Sequence, residues 1–144
     1  MKYWDSSALV PLCVDEDSSP RMHEIYRADP TVVTWWGSEI ECVSALARLE
    51  RESAITAEMV SVAIGRLKSL GAAWHEVQPT QLLRDTAVRL LRVHPLRGAD
   101  AVQLASAVIV ADREPATLEI VSLGTRLAAA ARREGFPVVG AVVE

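Results

Sequence analysis

Cysteine is scarce in this chain: Cys13 and Cys42 are the two present, with no Cys-x-x-Cys and no histidine set beside them at zinc spacing. That excludes a disulfide scaffold and a zinc ribbon, and both thiols, lying in apolar runs, are expected to be small buried side chains in a reducing compartment. Aromatics are few, 5% against 50% hydrophobic residues, so an aliphatic core is expected, as in helices packed on a parallel sheet. Positive charge is not in excess. A net charge of −4 excludes a general nucleic-acid coating protein, though not an enzyme that grips RNA locally. Lysine is nearly missing, with thirteen Arg beside Lys2 and Lys68; Arg suits bidentate pairing with phosphate, and a GC-rich genome gives the same bias. There is no Gly-rich phosphate loop and no Gly-x-Ser-x-Gly elbow. The longest uncharged apolar stretch, Ala101–Ala111, is too short for a bilayer. No signal-peptide core precedes the first strand pattern, so a soluble, cytoplasmic protein is expected.

What is present is an alternation of short β-branched runs with longer helical ones. Strands are predicted at Lys2–Trp4, Thr31–Trp35, Ala73–Val77, Leu118–Leu123 and Pro137–Val143. Helices are predicted from Ser6 to Val14, from Asp17-Ser18-Ser19-Pro20 to Ala28, from Ser38 to Ser53 and from Ala57 to Leu70, ending at Gly71. Further helices run from Pro79 to Val93, over Ala99–Ala111, and from Thr125 to Glu134, closed by Gly135. The Ala99–Ala111 segment is apolar nearly all round, the mark of a helix buried between layers. No repeat or linker interrupts the pattern. The fold class is α/β: one domain over residues 1–144, a parallel β-sheet flanked by α-helices on both faces.

Three acids stand where such a sheet binds ligands, beyond the carboxyl ends of its strands. Asp5 follows the first strand, where it also fits the cap of the next helix. Glu41 fits a capping box with Ser38, yet small Ser44 and Ala45 follow it one turn on, and Arg48 lies two turns away on the same face. Asp100 is the one charged residue between Gly98 and Ala111. Burying it is costly unless a cation or partner meets it, although the start of a helix also favours an anion. Were the three to converge, their repulsion would raise a pKa unless a divalent cation neutralised them. Magnesium or manganese suits such an all-oxygen set, and such an ion activates water for attack on phosphorus.

Four blocks of this sequence resemble the PIN-domain family, and within it the VapC-type toxins. Tyr3-Trp4-Asp5-Ser6-Ser7-Ala8-Leu9-Val10 looks like the family's opening strand, Asp and Ser/Thr. Glu41-Cys42-Val43-Ser44-Ala45-Leu46-Ala47-Arg48 is similar to the second motif, and Arg97-Gly98-Ala99-Asp100-Ala101-Val102-Gln103-Leu104-Ala105-Ser106-Ala107 to the third. Val121-Ser122-Leu123-Gly124-Thr125-Arg126-Leu127 resembles the closing strand and helix. The resemblance implies a ribonuclease dependent on Mg2+ or Mn2+ that cuts RNA and is held inactive by a cognate antitoxin. A second copy of the same chain is the other implied partner. It makes Asp5, Glu41 and Asp100 catalytic and metal-binding, with Ser6, Thr125 and Arg48 as supporting or phosphate-contacting residues.

Two positions depart from the family pattern. Gly124 stands where a fourth Asp is frequent, with Thr125, Glu119 and Asp112 as candidates to compensate, and Gln103 stands in place of a frequent His. Loss of the fourth acid leaves open an alternative, a PIN fold with weakened or lost catalysis that serves as a binding module. A receiver-like phosphoacceptor domain fits less well, because Asp5 is followed by Ser6 and no Lys comes after Lys68. His23, His75 and His94 share no motif and are expected on the surface or in loops. Trp4, Trp35, Trp36 and Trp74 are expected in the core, except that one ring of Trp35-Trp36 has the position to line the groove or a partner interface.

Overall fold

Residues 1–141 are described by a computed structural model of the chain. In chain order the elements are β1 (Lys2–Trp4), α1 (Ser6–Cys13), α2 (Ser19–Ala28), β2 (Val32–Trp35), α3 (Ser38–Arg51), α4 (Ala57–Ala73) and β3 (His75–Val77). They continue with α5 (Gln81–Val93), α6 (Gly98–Ala111), β4 (Ile120–Ser122), α7 (Thr125–Arg133) and β5 (Val138–Gly140). The strands form one sheet in the order β3-β2-β1-β4-β5, every neighbouring pair parallel. This is the α/β arrangement that the alternating pattern predicts.

The two-residue period of a strand divides the core in two. Tyr3 lies beside Val33 on one side and Ile120 on the other, and this row packs against α5, α6 and α7 through Leu90, Leu104 and Leu127. Trp4, next along β1 and paired with Val121, points to the opposite face, where Leu9, Met22, Leu46 and Leu67 of α1 to α4 cover it. Burial of such side chains contributes about 25 cal/mol per Å2 of apolar surface. Small residues at Ala101, Ala105 and Ala107, all fully buried, let α6 lie close to the sheet.

Local chemistry sets several of the helix ends. The hydroxyls of Thr56 and Thr80 accept from the backbone N–H groups of Met59 and Leu83 and so cap α4 and α5. Thr80 rather than Pro79 therefore marks the start of α5. Gly135, at φ +98°, closes α7 with an N–H to the Arg132 carbonyl, and Phe136 N–H reaches Ala131. Most predicted boundaries hold within a residue or two, and the larger differences are local. α4 runs through Gly71 to Ala73, β3 begins at His75, and a 3-10 turn at Pro115–Thr117 precedes β4. The last strand is seen at Val138–Gly140; the predicted continuation through 142–143 lies outside the described residues.

Candidate functional site

The chain leaves β1 toward β2 on one side and leaves β4 toward β5 on the other. The carboxyl ends of β1 and β4 therefore flank the crevice where open parallel sheets place their ligands. Asp5 stands at that point, its backbone N–H bonded to the Val121 carbonyl at 3.0 Å. Its side chain makes no cap bond to α1. Instead it accepts from Ser7 Oγ at 2.5 Å and Ser122 Oγ at 2.8 Å, both on Oδ2. Those two hydroxyls in turn accept from backbone: Leu123 N–H donates to Ser7 Oγ at 2.9 Å and Gly124 N–H to Ser122 Oγ at 3.1 Å. With their lone pairs so engaged, both hydroxyls direct their protons at Asp5. The turn after β4 thereby polarises the donors that hold the carboxylate.

Glu41 lies in the first turn of α3 but does not close a capping box with Ser38. Its Oε2 accepts from Ser6 Oγ at 2.7 Å and from Gln103 Nε2 at 3.1 Å. Ser6 also approaches Asp5 Oδ1 at 3.4 Å, so one hydroxyl bridges the two acids. Asp100 enters from the start of α6, where its Oδ2 accepts the Arg97 backbone N–H at 3.2 Å and faces Arg126 Nε at 3.7 Å. Contrary to the expectation of a buried charge, the Asp100 side chain is 26% exposed, and its bond to Arg97 makes it a structural cap as well. Asp5, 6% exposed, is the buried acid.

Burial pushes the Asp5 carboxyl up, against the opposing pull of the Ser7 and Ser122 hydroxyls, and the charge of Asp100 raises it further. Glu41 is raised too, first by burial and then by the charges of Asp5 and Asp100, while Ser6 and Gln103 lower it. Asp5 and Glu41 thus share the Ser6 hydroxyl, and the charge of Asp100 acts on both. Among the described residues, Asp5 and Glu41 have no basic partner within 4 Å. Desolvated carboxylates without a counter-ion fit a hard divalent cation, whose ligands are oxygens. As they stand, no three acids, histidines or cysteines among the described residues are closed about a common point. A small cation taking a few carboxylates and several waters requires no such closure.

Between α1 and α3 a cavity of about 420 Å3 opens beside Glu41, lined also by Ser6, Ser7, Ser44, Ala45 and Arg48 among others. Arg48 is exposed and shares this groove with Glu41, as their helical spacing predicts. Thr125 is exposed at the start of α7 and makes no side-chain hydrogen bond to the acids. Neither proposed substitute for a fourth acid is near. Glu119 precedes β4 at the far end of the strand and binds Lys2 at 3.1 Å, and Asp112 caps the opposite end of α6 from Asp100. Ser7, Ser122, Gln103 and Arg126 also belong to the site; all four fall within the family-like blocks, yet apart from Gln103 at the frequent His position the sequence does not set them apart.

His94 lies in the predicted loop, and Trp36 is the exposed ring of the Trp35-Trp36 pair set apart from the core. Within that loop His94 is buried, because its Nε2 meets Glu134 Oε2 at 2.8 Å and ties α5 to the end of α7. Trp36 is 46% exposed, whereas Trp4 and Trp74 are buried and Trp35 partly so. Trp36 has left the sheet, turning outward just after β2.

Comparison with known proteins gives a consistent picture. Ribonuclease VapC45 and ribonuclease VapC49, from two strains of Mycobacterium tuberculosis, are each 33% identical over 110 residues, 76% of this chain and 76% of theirs. Among solved structures, a toxin-antitoxin complex from Klebsiella pneumoniae contains a chain that superposes with a TM-score of 0.63 at 17% identity, covering 97% of both. PAE2754 from Pyrobaculum aerophilum gives a TM-score of 0.61 at 20% identity, covering 99% of this chain and 88% of that one. No family model matches.

Proposed function

The chain belongs to the VapC ribonucleases, and on that premise we propose that it is the toxin of a toxin–antitoxin pair, an endoribonuclease dependent on Mg2+ or Mn2+. The observation that supports this reading is the pairing of Asp5 and Glu41 through Ser6 at the crevice between β1 and β4, with the charge of Asp100 acting on both and no basic partner for either within 4 Å among the described residues. Asp5 and Asp100 are the principal metal ligands, and Glu41 completes the set. When bound, the cation would activate water and stabilise the negative charge that develops on the phosphate oxygens. The protein's own groups do the rest. Ser7 and Ser122 fix the plane of Asp5, Ser6 links Asp5 to Glu41, and the groove with Arg48 receives the RNA backbone.

Attack by water needs no 2′-hydroxyl, so the products carry 5′-phosphate and 3′-hydroxyl ends. Cleavage in magnesium or manganese that vanishes in Asp5→Asn and Asp100→Asn supports the reading, and cyclic-phosphate products overturn it. The partner is a small antitoxin laid over the acidic groove, where an Arg of its own meets the carboxylates. Co-expression with the product of a short neighbouring gene tests this through recovery of an inactive complex. A second copy of the chain is also part of the reading, and sedimentation measures it.

Gly124 favours a second reading, a VapC-fold binding module without catalysis. A side chain on residue 124 would enter the acid cluster, and here there is none. Calorimetric titration separates the two, because a folded protein that takes up no metal at millimolar concentration fits only the second.

A further inference from the structure

We propose that Gln103 is a positioning residue that sets the direction of the Glu41 carboxylate, and that Tyr3 in turn sets the direction of Gln103. Its consequence for catalysis rests on the ribonuclease reading above. Gln103 is fully buried on α6 among Ala101, Leu104, Ala105 and Ala107, a place where an amide is costly unless every polar atom is satisfied. All are. Tyr3 Oη is 2.5 Å from Gln103 Oε1, and Gln103 Nε2 is 3.1 Å from both Ser38 Oγ and Glu41 Oε2.

The direction of each proton can be worked out from the ends of this chain of bonds. Thr34 donates its one hydroxyl proton to the Trp4 carbonyl at 2.7 Å. In the Thr34–Ser38 contact, also 2.7 Å, Ser38 is therefore the donor. Its proton being committed, Ser38 Oγ offers Gln103 only lone pairs and must be met by N–H. At the other end, the Tyr3 phenol donates to Gln103 Oε1. Reversing the amide would set its carbonyl against the Glu41 carboxylate and against a hydroxyl with no proton left to give. One orientation remains, in which the second amide proton is available to Glu41.

Glu41 thus takes both its donors, Ser6 and Gln103, on the same oxygen, Oε2. Its Oε1 makes no hydrogen bond among the described residues and is left for a ligand. Gln103 reaches no substrate atom in this arrangement; it acts through Glu41. Removing a donor to a charged acceptor weakens the aligned state by roughly tenfold to a hundredfold.

The test uses Gln103→Met, close in length and without a donor, and Tyr3→Phe, which leaves the amide in place but unlocked. Manganese affinity is read by calorimetry, steady-state RNA cleavage by its kcat and KM, and the Glu41 side chain in crystals of each variant. Gln103→Met is expected to lose about tenfold or more in kcat and in manganese affinity, with KM for RNA within about twofold. Tyr3→Phe should show a smaller loss of the same kind. Crystals should show Glu41 turned away from its bond to Ser6 in Gln103→Met. If Gln103→Met does not fold, Tyr3→Phe decides through the same readouts. Unchanged kcat and metal affinity, or Glu41 unmoved in the variant crystal, overturns the inference. The crystal outcome holds whether or not the parent cleaves RNA, so failure of the ribonuclease reading is seen separately, as a parent with no cleavage.

Discussion

A Cβ placed on Gly124 would stand 4.0 Å from Oδ2 of Asp5, with Ser122 Oγ at 3.5 Å and Leu127 Cβ at 3.8 Å as its other neighbours. All three are ordinary contact distances. Residue 124 is also the N-cap of α7 in an extended conformation, φ −79° and ψ 120°, a position that Asp favours. A Cβ is therefore accommodated at residue 124 without a clash, beside Asp5. Gly124→Asp is expected to bind manganese about tenfold more tightly than the parent, because the number of charged ligands tunes such sites. Calorimetry measures it, and an unchanged affinity would show that residue 124 does not address the metal.

Asp5→Asn removes the buried charge but keeps an oxygen to accept from Ser7 and Ser122. Loss of groups that merely orient metal ligands costs about ten- to a hundredfold, so loss of a ligand should cost about a hundredfold or more in kcat. In metal-free buffer the variant should melt no lower than the parent, since a desolvated carboxylate no longer has to be accommodated. A marked fall in its melting temperature would assign Asp5 a structural role instead.

Acidity provides a third test. Asp5 and Glu41 both ionise above the ordinary carboxylate range, burial being the main cause. With folded values above unfolded ones, the stability they contribute is fully present below about pH 4, the unfolded range, and is lost as pH rises through the folded values. Metal binding requires the ionised acids and so strengthens over the same interval. Melting curves with and without manganese should diverge as pH rises from the ordinary carboxylate range. A metal-induced shift that does not vary with pH is incompatible with these two acids as ligands.

Arg126 and Arg48 flank the acids differently. Arg126 faces Asp100 at 3.7 Å on the surface, where such pairs contribute about 0.2–1 kcal/mol. Arg126→Ala should therefore raise manganese affinity by no more than about fivefold, as a competitor for Asp100 is removed. Arg48→Ala should leave metal affinity alone and raise KM for RNA. The two variants measured side by side by calorimetry and steady-state kinetics test this, and the opposite pattern would reverse the assignment.

Leu104 is fully buried on α6, packed toward the sheet. Leu104→Ala should lower stability by about 2–5 kcal/mol, measured by urea unfolding. A loss under about 1 kcal/mol would mean that α6 is less tightly packed than its burial implies.

Much of the fold is legible in the sequence because the strands are short and bounded. Lys2–Trp4 alternates its faces, and Gly135, at positive φ, closes α7 as its chemistry dictates. Asp5, Glu41 and Asp100 are visible as acids at strand and helix starts. Which of them is buried is not visible. An acid within an apolar run reads as buried, yet Asp100 is at the open start of α6 while Asp5 sits between two strands. Ser122 and Gln103 are hidden for a different reason. A buried Ser or Gln has no periodicity of its own, and its partners lie 117 and 62 residues away along the chain, at Asp5 and Glu41. Only tertiary packing creates their meaning.

Tyr3 and Trp4 send their rings into opposite halves of the molecule, and Asp5 is the next residue. The acid is thus clamped from both sides by a strand of three residues. Opening either helical layer frees that clamp. For a chain of the VapC ribonucleases, the setting of this acid is thus a property of the completed fold rather than of any one segment.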